Sequence, residues 1–253
     1  MNSNPSDFYG LNPSNLPAHI AVIMDGNGRW AKKRFLNRVK GHEKGAEVVR
    51  AVVRTCREVG IRFLTLYAFS TENWQRPKVE VSALMSLLKK FLIDETPEMI
   101  ENRIRLNVIG QIERLPADVQ TEIRRAMDVT AHNTGMCLNL ALSYGGRSEI
   151  VRAAGQIAAR VEAGELKASD ISDAVMAQHL YTAGMPDPEL LIRTSGEMRI
   201  SNFLLWQIAY CEIFFTQTLW PDFTKDELIG IIKDFQGRER RFGDVAPPEN
   251  HGT

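Results

Sequence analysis

Six apolar runs of strand length recur along almost the whole chain: "HIAVIM", "FLTLYAF", "RLNVIG", "CLNLALSY", "ELLIRT" and "CEIFFT". Runs this continuous leave no polar face for solvent, so strands built from them must be covered on both sides. Helical spacing follows the first run, with Ala46, Val49, Val53 and Cys56 over about Lys44–Val59. It follows the second from about Val79, the third after Pro116 and the fourth from near Arg147, and a last helix is expected over about Lys225–Gly237. Strand and helix in alternation predict an α/β fold, a single domain with a mostly parallel central sheet of about six strands flanked by helices. A chain of 253 residues with 44% hydrophobic content can bury such a core undivided, and no repeat or linker splits it. The domain is expected over 18–243, between a flexible N-terminal segment, 1–17, and a flexible C-terminal tail, 244–253.

Charge excludes some partners. With 31 basic against 31 acidic residues there is no global field of the kind that draws nucleic acid, so local clusters must carry any anion recognition. Cys56, Cys137 and Cys211 stand in unrelated contexts without C-x-x-C spacing, which reads as buried thiols in a reducing compartment. The start "MNSNPSDFYGLNPSNLP" lacks the basic-then-apolar order of a signal peptide, and no apolar run reaches about 18 residues. A cytoplasmic protein is expected, with membrane contact at most peripheral.

Parallel sheets bind ligands at the carboxyl ends of their strands. After the first run comes "DGNGRWA", which matches G-x-G-x-x-A at Gly26, Gly28 and Ala31. The glycines allow backbone N–H groups to close on an anion, yet Asp25 aims a negative charge at the same place. A Mg²⁺ ion resolves that conflict, since it takes one or two carboxylates together with phosphate oxygens and water. The alternative is a tight turn with Asp25 as helix cap. Lys32, Lys33, Arg34, Arg38, Lys40 and His42 follow, either a solvated face or cations for a phosphate, and His42 is equally placed to cap the next helix. The second run delivers "FSTENWQRP", which gathers Ser70, Glu72, Asn73, Trp74 and Arg76. That mixture suits a substrate with a charged head and an apolar, π-rich body. "IRTSGEMRISNF" adds Arg193, Arg199 and Ser201 as a second phosphate-type cluster, so two phosphorylated substrates are expected. Val81, Leu84, Met85, Leu88 and Leu92, broadened by Leu87 and Phe91, make an apolar helix face that either packs on the core or walls a hydrophobic tunnel between sheet and helices, with a bend at Pro97.

"HIAVIMDGNGRWAKKR", "GHEKGA", "LTLYAFSTENWQRP", "SYGGR", "LIRTSGEMRISNFLLWQIAYCEIFFT" and "RERRFG" together closely resemble the bacterial undecaprenyl diphosphate synthases, a cis-prenyltransferase family, from about His19 to Gly243. The resemblance implies Mg²⁺-dependent homodimers that condense isopentenyl diphosphate repeatedly onto farnesyl diphosphate to give a C55 carrier lipid for cell-wall glycans. By position, Asp25 corresponds to the essential Mg²⁺ ligand, with Gly26, Asn27, Gly28, Arg29, Arg38 and His42 around the allylic diphosphate. Trp30, Ser70, Thr71, Glu72, Trp74 and Arg76 correspond to the adjoining substrate region, and Arg193, Arg199, Ile200 and Ser201 to the isopentenyl diphosphate site. Glu212 resembles a second metal-linked carboxylate, and Arg241–Gly243 a tail reaching the neighbouring subunit's site. Met198 stands where a His is common, which shifts weight onto Asp25 and Glu212. The family pattern places Asn73 near the departing proton; a neutral amide is a poor base, so Asn73 is expected to orient substrate while a diphosphate oxygen accepts the proton. Met136 and Leu138, at the start of the fourth strand, are the expected end wall of the tunnel. A shorter- or longer-chain synthase and a non-catalytic partner subunit are the alternatives.

Overall fold

The structure, a computed structural model, describes residues 9–238. Strands β1 (His19–Ile23), β2 (Phe63–Ser70), β3 (Arg105–Ile109), β4 (Cys137–Tyr144), β5 (Leu190–Arg193) and β6 (Glu212–Phe215) form one parallel sheet in the order β3-β4-β2-β1-β5-β6. Around it lie α1 (Asn27–Lys33), α2 (Arg38–Val59), α3 (Lys78–Glu101), α4 (Ala117–Thr130), α5 (Gly146–Glu162), α6 (Asp173–His179) and α7 (Lys225–Gln236). All six expected strands are present. The first long helix begins at Arg38 instead of Lys44, because the Asn37 side chain caps it by accepting the Lys40 N–H at 3.0 Å. Pro97 does not end α3, which continues to Glu101.

The two sheet faces differ. One, with Ile20, Val22, Leu64, Leu66, Leu138, Leu140 and Leu142, packs against α2, α3, α4 and α7 in the larger core. The other, with Ala21, Ile23, Tyr67 and Ala141, is covered by Phe203, Leu204 and Ile208. A buried polar ladder also crosses the sheet from β1 to β3. The imidazole of His19 bonds the Pro186 carbonyl through Nδ1 (2.7 Å) and Thr65 Oγ1 through Nε2 (2.6 Å). Thr65 accepts from Asn139 Nδ2 (3.1 Å), and Asn139 accepts from Asn107 Nδ2 (2.8 Å). In the neutral imidazole Nδ1–H donates to the carbonyl and Nε2 accepts from the Thr65 hydroxyl.

Part of the segment expected to be flexible, residues 9–17, is tied down. Leu11 enters the core, Tyr9 donates to Glu58 (2.9 Å), and Gln236 bonds both the N–H and the carbonyl of Asn12. An apolar anchor and saturated backbone groups outweigh the polar, Pro-rich composition. From β1 the chain proceeds to β2 on one side, whereas β5 returns to the other, so strand order reverses between β1 and β5. The carboxyl ends of these two strands form the crevice where such sheets bind ligands.

Candidate active site

That crevice opens with Asp25. Gly26 has φ +113°, and a Cβ there would come within 3.0 Å of the Leu219 Cα, so only glycine fits. Gly26, not Asp25, is the N-cap of α1, and no side chain caps the helix; the turn-and-cap alternative is thereby set aside. Thr194 Oγ1, just past β5, accepts the Asp25 N–H at 3.0 Å and donates to the Asp25 carbonyl at 2.6 Å, and the Trp220 N–H donates to the same carbonyl. The carboxylate Oδ2 lies 2.8 Å from Arg193 Nη2 and 3.2 Å from Arg29 Nη2. Partial burial opposes the charge on Asp25, but the Arg193 hydrogen bond, the Arg29 and Arg193 charges and Ser195 hold its carboxyl below the usual range. Arg193 is only 3% exposed, and besides Asp25 it bonds Ser201 Oγ (2.7 Å) and the Arg199 carbonyl.

From Asp25 a cavity of about 900 Å³ runs between the sheet and α2 and α3. Its mouth carries Asp25, Gly26, Asn27, Gly28, Arg29, Lys32, Arg38, His42, Asn73, Arg76 and Glu80. Behind the mouth the lining turns apolar, with Val49, Leu66, Leu84, Met85, Leu88, Phe91, Leu140 and Leu142. The broad face of α3 therefore walls a tunnel as well as packing on the core. His42 stands in the second turn of α2 and lines this mouth instead of capping the helix. Burial and the neighbouring Arg76 and Arg38 lower its pKa to about 4, against an opposing pull from Glu80. A charged head at an end lined by cations and a long apolar body behind it is the arrangement this space accommodates.

The other expected residues divide. Asn73 accepts the Ser70 N–H through Oδ1 (3.1 Å), which leaves its NH₂ as the free group. Trp74 donates to Ser143 Oγ (2.9 Å) and packs edge-on to Phe69, outside the cavity lining. Trp30 also faces away, donating to Asp222 (2.6 Å) under the Arg34 guanidinium. Ser70, Thr71 and Glu72 lie on the turn behind Asn73 and do not line the cavity either. Arg199 is engaged by Glu197, which also pairs with Arg29 at 2.9 Å, and Ile200 packs in the second core. Glu212 is not brought to Asp25. It starts β6, in register with Leu190 and so with Ile20, five residues back from Asp25, roughly 16 Å along the strands. There it pairs with Arg238 at 2.5 Å. Met136 and Leu138 are buried but lie below the lined cavity, whose inward positions on β4 are Leu140 and Leu142. Arg241–Gly243 fall outside the described residues. Sequence reasoning missed Thr194, Ser195, Glu197 and Glu80; only Glu80, one helical turn after Arg76 and 3.0 Å from it, announces itself by spacing.

Among the described residues no three His, Cys, Asp or Glu side chains gather as a metal cage. One carboxylate with an oxygen not held by arginine, amid cations, suits a Mg²⁺ shared with a diphosphate better than an ion held by protein alone.

Comparison with known proteins agrees with this geometry. Residues 23–243 match the family described as "Putative undecaprenyl diphosphate synthase". An isoprenyl transferase of Geobacter sulfurreducens is 57% identical over 243 residues, covering 96% of this chain and 99% of that protein. The crystal structure of lavandulyl diphosphate synthase from Lavandula x intermedia, in complex with dimethylallyl diphosphate, superposes with a TM-score of 0.89 at 39% identity, over 91% of this chain and all of that one. A probable undecaprenyl diphosphate synthase of Campylobacter jejuni gives 0.75 at 38% identity, again over 91% of this chain and all of that one. A cation-lined crevice opening into an apolar tunnel, matched over nearly its whole length by prenyl-transferring relatives, places this chain in the undecaprenyl diphosphate synthase family of isoprenyl transferases.

Proposed function

We propose that this cis-prenyltransferase condenses isopentenyl diphosphate repeatedly onto farnesyl diphosphate and releases undecaprenyl diphosphate, C55, the precursor of a cell-wall glycan carrier. The observation that carries the reading is the tunnel itself: cations at the mouth, then a continuous apolar wall from Leu66 and Val49 to Phe91 and Leu140. Each added isoprene buries about five carbons, roughly 4 kcal/mol at ~0.8 per carbon, so elongation stays favourable until the wall is met.

Asp25 would hold Mg²⁺, which when bound neutralises charge on the departing diphosphate. Arg29, Arg38 and Arg76 bind the allylic diphosphate at the cavity mouth, while Arg193 and Ser201, with Arg199 beside them, bind isopentenyl diphosphate in the crevice. The apolar wall holds the allylic chain and excludes water from the allylic carbon. The isopentenyl double bond forms the new carbon–carbon bond, the allylic C–O bond breaks, and a proton leaves C2. A neutral amide is a poor base, and the Oδ1 of Asn73 already accepts the Ser70 N–H, which speaks against Asn73 as the proton's acceptor. It orients a diphosphate oxygen, and that oxygen takes the proton.

Two further readings extend this one. Among the described residues β6 has a single sheet neighbour, β5, and its outer edge supports a homodimer in which Arg241–Gly243 reach the partner's site. Among the described residues no helix is long and apolar enough to cross a membrane, which is compatible with a cytoplasmic enzyme that meets the membrane only to release product.

Incubation with farnesyl diphosphate and labelled isopentenyl diphosphate, with and without Mg²⁺, followed by sizing of the extracted product, tests the proposal. A Mg²⁺-dependent ladder ending near C55 is expected. A ladder that stops early moves the chain to the short-chain synthases, a reading favoured by its likeness to the lavandulyl enzyme. No incorporation by folded protein leaves a non-catalytic partner subunit.

A further inference from the structure

"SYGGR", Ser143–Arg147, ends β4 and opens α5, yet neither of its glycines lines the cavity. Gly145 has an extended backbone, φ −160°, that any residue adopts, so its missing side chain is a matter of space. A Cβ at Gly145 would lie 2.7 Å from Thr71 Oγ1 and 2.8 Å from Asn202 Nδ2, and one at Gly146 would lie 2.8 Å from Leu205 Cγ. Asn202 uses the room so created. Its carbonyl accepts the Gly146 N–H (2.7 Å), its Oδ1 accepts the Arg147 N–H (2.8 Å), and its Nδ2 donates to Glu72 Oε1 (3.1 Å). It does so from a left-handed backbone, φ +61°, which Asn tolerates better than most residues.

These contacts join two segments distant in sequence, which also meet where the Tyr67 hydroxyl donates to the Ser201 carbonyl (3.3 Å). Asn202 follows Ser201, the partner of Arg193, and Glu72 precedes Asn73 at the cavity mouth. Resting on the reading of two diphosphate subsites, we propose that Asn202 is a positioning residue: its bond to Glu72, admitted by Gly145 and Gly146, sets the separation between the isopentenyl diphosphate subsite and the allylic one. Capping α5 does not account for that bond. The cap is complete with the carbonyl and Oδ1, whereas Nδ2 points the other way, to a turn that takes no part in the helix.

Capping and positioning separate by a swap. Asn202→Asp keeps both cap acceptors but sets a carboxylate against Glu72. Glu72→Gln keeps an acceptor for Asn202, and in the double variant the amide that Glu72→Gln introduces donates to the new carboxylate. Steady-state kinetics are measured for each substrate, with hydrogen exchange of residues 70–76 as a readout independent of turnover. The expected result is a fall of about 30-fold in kcat/KM for isopentenyl diphosphate in Asn202→Asp, on the scale that misplacement of a reacting group costs. KM for farnesyl diphosphate should stay unchanged, and the double variant should recover rate and exchange protection to the level of Glu72→Gln alone. Gly145→Ala should reproduce the Asn202→Asp defect through crowding alone. Wild-type rates in Asn202→Asp, or a double variant no better than it, would each overturn the proposal. Absence of turnover in the wild-type protein would instead refute the two-substrate reading, and the exchange pattern would still report whether the tie exists.

Discussion

Acidification should destabilise this fold through His19. Burial lowers its pKa from 6.5 to about 4, against weaker opposing pulls from the Pro186 carbonyl and Glu189, and the ladder to Thr65, Asn139 and Asn107 accommodates the neutral ring with Nε2 as acceptor. An unfolded His binds a proton near pH 6.5 and the folded one does not, so the unfolded state gains protons first as pH falls. The stabilisation is therefore complete above about pH 6.5 and is lost through the window down to about pH 4. At roughly 1.4 kcal/mol for each pH unit between the two values, the linkage removes about 2 kcal/mol by pH 5 and about 3 by pH 4. His42 is also depressed to about 4 by burial and the nearby arginines, so the measurement belongs in a His42→Gln background. Urea denaturation of that protein, with and without His19→Gln, at pH 7, 6 and 5 reads the difference in slope. The second substitution lowers absolute stability at every pH, but it should abolish about 2 kcal/mol of the loss between pH 7 and pH 5. Equal losses in the two proteins would show that His19 is already protonated in the fold, and the argument from the ladder would be wrong.

Three further outcomes are expected. Arg193→Lys cannot serve Asp25, Ser201 and the Arg199 carbonyl together from a buried position, so about 2–3 kcal/mol should be lost, a fall of roughly 4–12 °C in Tm by calorimetry, along with most activity. An unchanged Tm would mean that the three acceptors find other donors. Asn73→Asp keeps an acceptor for the Ser70 N–H but replaces a donor by a second carboxylate oxygen facing the diphosphate, and turnover should fall by about 100-fold; near-normal turnover with a new carboxylate-like limb in the pH profile would instead favour direct proton acceptance there. Leu140→Trp should shorten the product ladder and Met136→Ala lengthen it, since Leu142 and Leu140 line the cavity while Leu138 and Met136 pack in the same core below it; product sizing that leaves both distributions unchanged would remove this segment from chain-length control.

The sheet was legible because its strands are runs of apolar residues covered on both sides, with β4 buried throughout its length, and few folds other than a parallel sheet between helices accommodate that pattern. The place of Asp25 at the crevice was legible for a related reason, since it follows β1, whose carboxyl end any parallel sheet exposes to ligand; of the basic run only Lys32, Arg38 and His42 line the cavity, while Arg34 pairs with Asp222 and Lys40 with Glu43. What spacing could not convey was orientation. Trp30 and Trp74 occupy the right segments, yet one turns to Asp222 and the other to Ser143, where each half-buried indole finds an acceptor for its N–H. Glu212 differs from the other site residues in its strand position: it opens its strand while they stand at or beyond a strand's end, which puts it at the far end of the sheet from the Asp25 of the same chain. The docking of Tyr9 and Asn12 depends on Glu58 and Gln236, partners no local pattern could name.

The bond between Asp25 and Arg193 spans 168 residues of chain. During synthesis at ~5–20 residues per second, about 8–34 s pass between the emergence of the carboxylate and that of its arginine. During that interval β1 gains β2 but not β5, and the Thr194 hydroxyl and Trp220 amide that fix the Asp25 backbone do not yet exist. A polypeptide cut short between α2 and β5 would thus carry the glycine turn, α1 and α2 without the arginine that holds Asp25. The crevice at Asp25 is completed late, with the strand that closes the other side of β1.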